Sequence, residues 1–326
     1  MIGSYLYTGS AQEIDEEAAR DFIREGYLSG PRTVLKGRTK APYALLPKIS
    51  VEASELPSKT QDILLAAMGR IAGARRAMMF SGGFDSMLIA CLAKQAGARI
   101  AAVTVRFDDF NPLTVAGAVE FAGKAGIEHH ILNVGAVEFL SAFEAIAAMT
   151  DGPIADLDMA LVYAALKKYD PSIAGEIFIS GMGSDQWFGD GALQTRQRGL
   201  DVNFQLSMVD EEMHHKVAQA HGCQFVFPFL SKPMLALSQC VPVAMKKDKK
   251  LLRALAVANT IPPHAARSEA QVPPLMRELL IKTFGDRAWP SPVSIKGRDG
   301  RGPDELVRQI ILGLWLQKAK GRIAEV

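Results

Sequence analysis

The chain has 326 residues, of which 48% are apolar and 22% charged, with a formal net charge of +2. That composition supplies a large core and excludes a disordered or fibrous chain, and so small a charge gives no bulk electrostatic drive toward nucleic acid. No apolar run approaches the roughly 20 residues of a membrane helix. "MIGSYLYTGSAQEIDEE" also lacks the basic-then-apolar order of a secretory signal, so a cytoplasmic location is the expectation.

In chain order, residues 1–50 combine an acidic start, Glu13 to Glu25, with the Gly- and Pro-containing "GYLSGPRTVLKGRTKAPYALLPK". They read as turns between short strands. Residues 60–72 read as a helix. From Arg75 a regular alternation begins. "RAMMF" is a buried strand and "SMLIACLAKQAG" a helix closed by Gly97; "RIAAVTVRF" is a strand and "PLTVAGAVEFAGKAG" a helix; "EHHILNV" is a strand and "AVEFLSAFEAIAAM" a helix. "LDMALVYAALKKY" adds another helix and "EIFISG" another strand. Strands alternating with helices predict an α/β fold with a doubly wound parallel sheet. After about Ala192 the strand signal fades, and residues 200–280 read as mainly helical. "GDRAWPSPVSIKGRDGRGP" is a loop before a last helix, "DELVRQIILGLWLQKAK". We divide the chain into an N-terminal segment, 1–58, and a nucleotide-type domain with a helical C-terminal part, 59–326.

Two strand-to-helix junctions concentrate chemistry. The first is Ser81-Gly82-Gly83-Phe84-Asp85-Ser86. Glycines allow a tight turn and close backbone approach, and the following helix presents free N–H groups and its positive dipole end to an anion. Ser81 and Ser86 add hydroxyls. Asp85 would repel a phosphate unless a cation stood between them, which points to Mg²⁺ held jointly by protein and phosphate. The loop lacks the lysine of the G-x-x-x-x-G-K-[ST] pattern. A structural alternative is a corner with serine capping and glycine turning. The second junction, "EIFISGMGSDQWFGDG", again runs an apolar strand into a glycine turn with an acid, Asp185. Two carboxylates at the ends of two parallel strands can flank one metal–phosphate cluster. Gln186 stands where a dinucleotide fingerprint needs its third glycine.

Together these motifs resemble the asparagine synthetase and β-lactam synthetase family of N-type ATP pyrophosphatases. Their loop is Ser-Gly-Gly-x-Asp-Ser and their second motif Ser-Gly-x-Gly-x-Asp-x-x-Phe-Gly-Gly; Ser180, Gly181, Gly183, Asp185, Phe188 and Gly189 match the latter. "DEEAARDFIREGYLSGPRTVLKG", "AGKAGIEHHIL", "AQAHGCQFVFPFL" and "DKKLLRALA" resemble further family segments, the last its Lys-x-x-Leu-Arg helix. The resemblance implies an adenine nucleotide α-hydrolase-like fold and an ATP-dependent ligase that releases AMP and pyrophosphate while joining a small carboxylate to an amine. ATP and Mg²⁺ are the implied cofactors. Asp85 and Asp185 would bind the metal. Ser81, Gly82, Gly83 and Ser86 would hold pyrophosphate. Val103, Val105 and Gly181 would line the adenine pocket, with Met182 facing the acceptor. Lys250 would touch phosphate, and Asp210 and Glu211 are the candidate bases toward an amine. Both positions also read as plain solvated charge.

The departures fall on the acceptor side. The family's glutaminase half, with its N-terminal cysteine, is expected to be missing. Any nucleophile would then be a free amine, ammonia or a group delivered by a partner. Met182 stands where asparagine synthetases have glutamate and β-lactam synthetases tyrosine. Gln186 follows Asp185 in place of glutamate, and Ser231 follows Pro-Phe-Leu in place of aspartate. Glu269 falls at the place of a late lysine, for which Lys282, Lys296 and Arg298 are candidate substitutes. Two other readings stay open. One is a sulfur-inserting relative, opposed by three scattered cysteines, Cys91, Cys223 and Cys240, without a C-x-x-C pair. The other is a non-catalytic nucleotide binder with a protein partner, opposed by the intact Asp85 and Asp185. The pairs His129-His130 and His214-His215 read as structural or surface groups, because sequence neighbours cannot both face one metal. No nucleic-acid or membrane partner is expected, and a homodimer is compatible with the sequence.

Overall fold

The computed structural model describes residues 13–26, 28, 32–37, 39, 49–107, 112–150, 152–153, 156–189, 213–258, 274–289 and 303–324. At its centre is a five-stranded, wholly parallel sheet of β1 (Arg75–Met79), β2 (Arg99–Phe107), β3 (Glu128–Val134), β4 (Ile177–Ile179) and β5 (Gln224–Val226), in the order β3-β2-β1-β4-β5. β1 and β2 are apolar on consecutive residues because both faces are covered. Ala77, Met78, Ala101, Ala102 and Val103 are all buried.

The helices that cover it are α3 (Phe84–Gln95), α4 (Pro112–Ala125), α5 (Ala136–Met149) and α6 (Asp158–Lys168), preceded by α1 (Glu16–Glu25) and α2 (Leu56–Gly69). The chain moves outward from β1 to β3 through α3 and α4, then returns past β1 to β4 through α5 and α6. Right-handed crossovers therefore place these two helix pairs on opposite faces. The short α7 (Ser184–Phe188) follows β4 directly, and the other described C-terminal helices are α8 (Lys232–Ser238), α9 (Val243–Lys246), α10 (Lys250–Ala258), α11 (Pro274–Phe284) and α12 (Pro303–Ala324), with a further helical stretch over 213–219. No described helix is long and apolar enough to cross a membrane.

Every strand and helix expected between Arg75 and Gly181 is present, β2 and β3 with the expected ends. Two elements were not expected. β5 lies where the strand signal seemed to have faded: it has only three residues and passes at once into a turn at Pro228–Leu230. α1 replaces part of the turn-and-strand reading of residues 1–50, of which the described remainder includes one isolated antiparallel bridge, Ile14 to Leu35. Its signals are local. The Asp15 carboxylate accepts from the Ala18 N–H at 2.9 Å, Glu16 and Glu17 sit at the positive end, and Gly26 closes the helix at φ 83°. Ala18, Ala19, Phe22 and Ile23 are buried, and α1 packs on α12. Arg308 of α12 donates to the Ile23 and Arg24 carbonyls, which α1 leaves unpaired at its end. α2 begins at Leu56, so the expected boundary at 58 falls inside a helix.

α12 also contacts α5 and α11, and buried Trp315 donates from Nε1 to the Thr150 carbonyl at 3.0 Å. Gly313 lets the helix approach this closely: a Cβ there would overlap the Arg287 carbonyl. Helix propensity favours Ala over Gly by about 1 kcal/mol, whereas forced overpacking costs about 1–3 kcal/mol. Gly313→Ala should therefore lower the melting temperature by a few degrees; an equal or higher value would show that α12 is not packed this tightly.

Candidate active site

The sheet order reverses between β2-β1 and β4-β5, so the loops after β1 and β4 diverge to opposite sides and leave a crevice beyond their carboxyl ends. Both motifs lie there. β1 and β4 are hydrogen-bonded neighbours, with Met78 opposite Ile179. The two loops pack backbone to backbone. A Cβ on Gly181 would lie 3.2–3.3 Å from the Asp85 backbone and Cβ, so glycine permits this approach.

In the first loop Gly82 has φ 72°, the left-handed turn that its sequence position predicted. The Gly83 N–H donates to Ser81 Oγ at 3.2 Å, the Ser86 hydroxyl donates to the Gly83 carbonyl at 2.8 Å, and the two hydroxyl oxygens are 3.4 Å apart. α3 starts at Phe84 with no side-chain cap, so its first N–H groups face the loop. The loop is braced from behind. The Thr104 hydroxyl donates to the Phe80 carbonyl, and His129 Nε2 lies 2.7 Å from that hydroxyl. Burial lowers the His129 pKa. The neutral ring then serves as donor to Thr104, a structural role of the kind expected. Val103 is buried in β2 and its carbonyl accepts from the Phe80 N–H at 2.8 Å; Val105 is partly buried in the same strand.

In the second loop Gly183 has φ 93° and faces Leu230 of the Pro-Phe-Leu turn. The Met182 N–H donates to Ser180 Oγ at 3.3 Å, and its side chain packs against the core. Asp185 lies in the first turn of α7, as Asp85 lies in the first turn of α3.

A lysine joins the two acids. Lys249 Nζ is 2.7 Å from Asp85 Oδ2 and 3.4 Å from Asp185 Oδ1, with only 17% of its side chain exposed. Lys250, the lysine expected at phosphate, is exposed at the first position of α10. Counted back from Leu252-Arg253, the Lys-x-x-Leu-Arg pattern begins at Lys249, so the correct spacing was in the sequence. Asp248 and Lys249 both have left-handed backbones, φ 53° and 54°. Such residues cost about 1–2 kcal/mol each and persist where surrounding contacts impose them. Here Arg253 supplies one: its Nε donates to the Asp248 carbonyl at 2.8 Å, and its guanidinium stands 5.0 Å from the Phe84 ring centroid. Gly189 supplies room, since a Cβ there would sit 2.5 Å from Asp185 Oδ1 and 2.8 Å from Lys249 Cε.

The acids fit a divalent cation. Asp85 Oδ1 is buried without a hydrogen-bond partner, an unused anionic acceptor beside a second carboxylate. Among the described residues no group of three metal-ligating side chains occurs. Two carboxylates with water and phosphate completing the shell is how Mg²⁺ is usually held. Asp210, Glu211, Glu269, Lys296 and Arg298 lie outside the described residues; Lys282 is exposed on α11.

Residues 68–207, which include both loops, match the asparagine synthase family model. No curated protein matches the chain in sequence. Among solved structures, the U34-tRNA thiolase of Methanococcus maripaludis with its [4Fe-4S] cluster aligns at 14% identity and TM-score 0.40, over 83% of this chain and 80% of that one. The glutamine-dependent NAD⁺ synthetase of Acinetobacter baumannii, in complex with ADP, aligns at 14% identity and TM-score 0.39, over 93% and 60%. The NH₃-dependent NAD synthetase of Campylobacter jejuni aligns at 17% identity and TM-score 0.29, over 42% and 60%. The chain thus spans less than two thirds of each NAD synthetase, and likenesses this distant carry no weight for its reaction.

Displacing a group by about 1 Å at such a site costs on the order of 100-fold in rate. Gly189→Ala should weaken Mg²⁺-dependent ATP binding at least tenfold while leaving the melting temperature within a few degrees of wild type, as read by calorimetric titration and thermal unfolding. Unchanged binding would mean that the Asp185–Lys249 approach is irrelevant to nucleotide.

Proposed function

We propose that this chain, in which residues 68–207 match the asparagine synthase family model, is an ATP-dependent, AMP- and pyrophosphate-forming ligase. It activates a small carboxylate as its adenylate and passes the acyl group to a nucleophile not drawn from glutamine, forming an amide. The observation that carries this reading is the convergence of Asp85, Asp185 and the Ser81–Ser86 loop at one crevice, with an unpaired oxygen on Asp85.

In this scheme the Gly83 and α3 N–H groups and the Ser81 and Ser86 hydroxyls bind the β- and γ-phosphates. Asp85 and Asp185 hold Mg²⁺, which when bound neutralises charge on the departing pyrophosphate. Lys249 donates to a phosphate oxygen, taking the role expected of Lys250. Val103, Val105 and the Gly181 backbone line the adenine pocket. The substrate carboxylate attacks the α-phosphorus, the bond to the β-phosphate oxygen breaks, and pyrophosphate leaves. An amine then attacks the acyl carbon and AMP departs. Asp210 or Glu211 takes the amine proton. Met182 faces the acceptor and offers it neither charge nor proton, which suits an apolar group there.

Sulfur insertion gains no support from the thiols. Burial pushes Cys91 and Cys223 up, away from a reactive thiolate. Cys223 precedes β5, at the end of the sheet opposite the loops, and the Cys240 thiol donates to the Ile49 carbonyl at 2.8 Å.

Exchange of labelled pyrophosphate into ATP, across a panel of amino and dicarboxylic acids, should be detected with at least one acid. In Asp85→Asn it should fall at least about 100-fold, the scale of losing one charge-stabilising group. No exchange with any acid, or exchange unaffected in Asp85→Asn, would overturn the ligase reading.

A further inference from the structure

Lys249 stands where a divalent cation would bridge the carboxylates. Its ammonium serves Asp85 Oδ2 and Asp185 Oδ1 together and leaves Asp85 Oδ1 with no partner. Ammonium and a divalent cation cannot share this place. At so short a separation a singly and a doubly charged cation repel strongly even in a partly solvated site. One must leave when the other enters.

The lysine is held by a backbone that favours its departure once the ion pair is released. Two consecutive left-handed residues, Asp248 and Lys249, carry backbone strain that a return to ordinary backbone angles would relieve. Against this stand a charge-assisted hydrogen bond to Asp85 and the Arg253 bond to the Asp248 carbonyl. Strain and contacts thus act in opposite directions on the position of Lys249.

We propose that Lys249 is a resident counter-ion. It neutralises Asp85 and Asp185 while nucleotide is absent, and yields the place to metal only when triphosphate arrives to receive its ammonium. This rests on the reading of Asp85 and Asp185 as the metal ligands of the ligase. Metal and nucleotide would then enter as one coupled event, with a metal-free protein already charge-balanced. The coupling is reciprocal: nucleotide raises affinity for metal by the factor by which metal raises affinity for nucleotide.

The test is titration of nucleotide-free protein with Mn²⁺, followed by the paramagnetic resonance signal of free Mn²⁺. Wild type should bind weakly. Lys249→Met should bind at least tenfold more tightly at one site, Lys249→Arg should stay weak because it keeps the charge, and Lys249→Met with Asp85→Asn should lose the gain. Equal affinity in wild type and Lys249→Met would overturn the proposal. If Lys249→Met does not fold, wild type decides: millimolar Mg²⁺ alone should leave its melting temperature unchanged, and Mg²⁺ with ATP should raise it. A rise with Mg²⁺ alone as large as with MgATP overturns the proposal. Pyrophosphate exchange, run on the same wild-type protein, separates the two readings. Exchange present with no Mn²⁺ gain in Lys249→Met sinks the counter-ion alone; a gain without exchange sinks the ligase alone.

Discussion

Two like charges placed at the ends of neighbouring strands have to be neutralised, and much of the architecture around the crevice follows from that constraint. β1 and β4 pair directly, so the helices that follow them bring Asp85 and Asp185 together. Three glycines remove the side chains that would keep the loops apart: Gly181 against Asp85, Gly183 against Leu230, and Gly189 against Asp185 and Lys249. The counter-charge comes from a third segment far along the chain. Its backbone is bent into an unfavourable region to deliver Lys249, and Arg253 fastens the bend to Phe84 of the first loop. The helical C-terminal part therefore completes the crevice as well as packing on α2 and α5.

What could be read from sequence follows the reach of each signal. β2 and β3 were legible because Gly97, Gly126 and Gly135 punctuate that stretch of chain, with an apolar or β-branched run, Ile100–Val105, inside β2 and Ile131-Leu132 inside β3. The Ser81–Ser86 loop was legible because two glycines, two hydroxyls and an acid in six residues have few structural uses. β5 was not: three residues carry no period, and Gln224–Val226 is a strand because β4 offers it an unpaired edge. α1 had readable caps in Asp15 and Gly26, obscured by the turn-like segment that follows. Lys249 shows another limit. In a run of four lysines and one aspartate, Lys246 to Lys250, composition does not say which ammonium turns inward. That is settled by the left-handed turn, a property of no single residue, and by the spacing to Arg253.

The same geometry separates the two halves of the proposed reaction. Groups suited to a triphosphate come from loops locked by backbone contacts: Gly83 to Ser81, Ser86 to Gly83, Thr104 to Phe80. Of the groups expected on the acceptor side, Met182 packs against the core, and Asp210 and Glu211 come from a different stretch of chain.

Charge narrows what that recipient can be. Relative to the pattern the chain resembles, negative charge is absent at Met182, Gln186 and Ser231, all beside the second loop. Ser231 Oγ is buried with no partner at the start of α8, next to the Leu230 that packs on Gly183. The described charges that remain at the crevice, Asp85 and Asp185 against Lys249 and Arg253, balance before any ligand enters. Among the described residues, an acceptor bearing a fixed ammonium would find no acid left over at the crevice to pair with it. Desolvating an unpaired charge costs several kcal/mol, so such a substrate is disfavoured by the site itself. An apolar or neutral acceptor meets no such penalty. For the ligase proposed above, the absence of these acids predicts a preference for an uncharged acceptor.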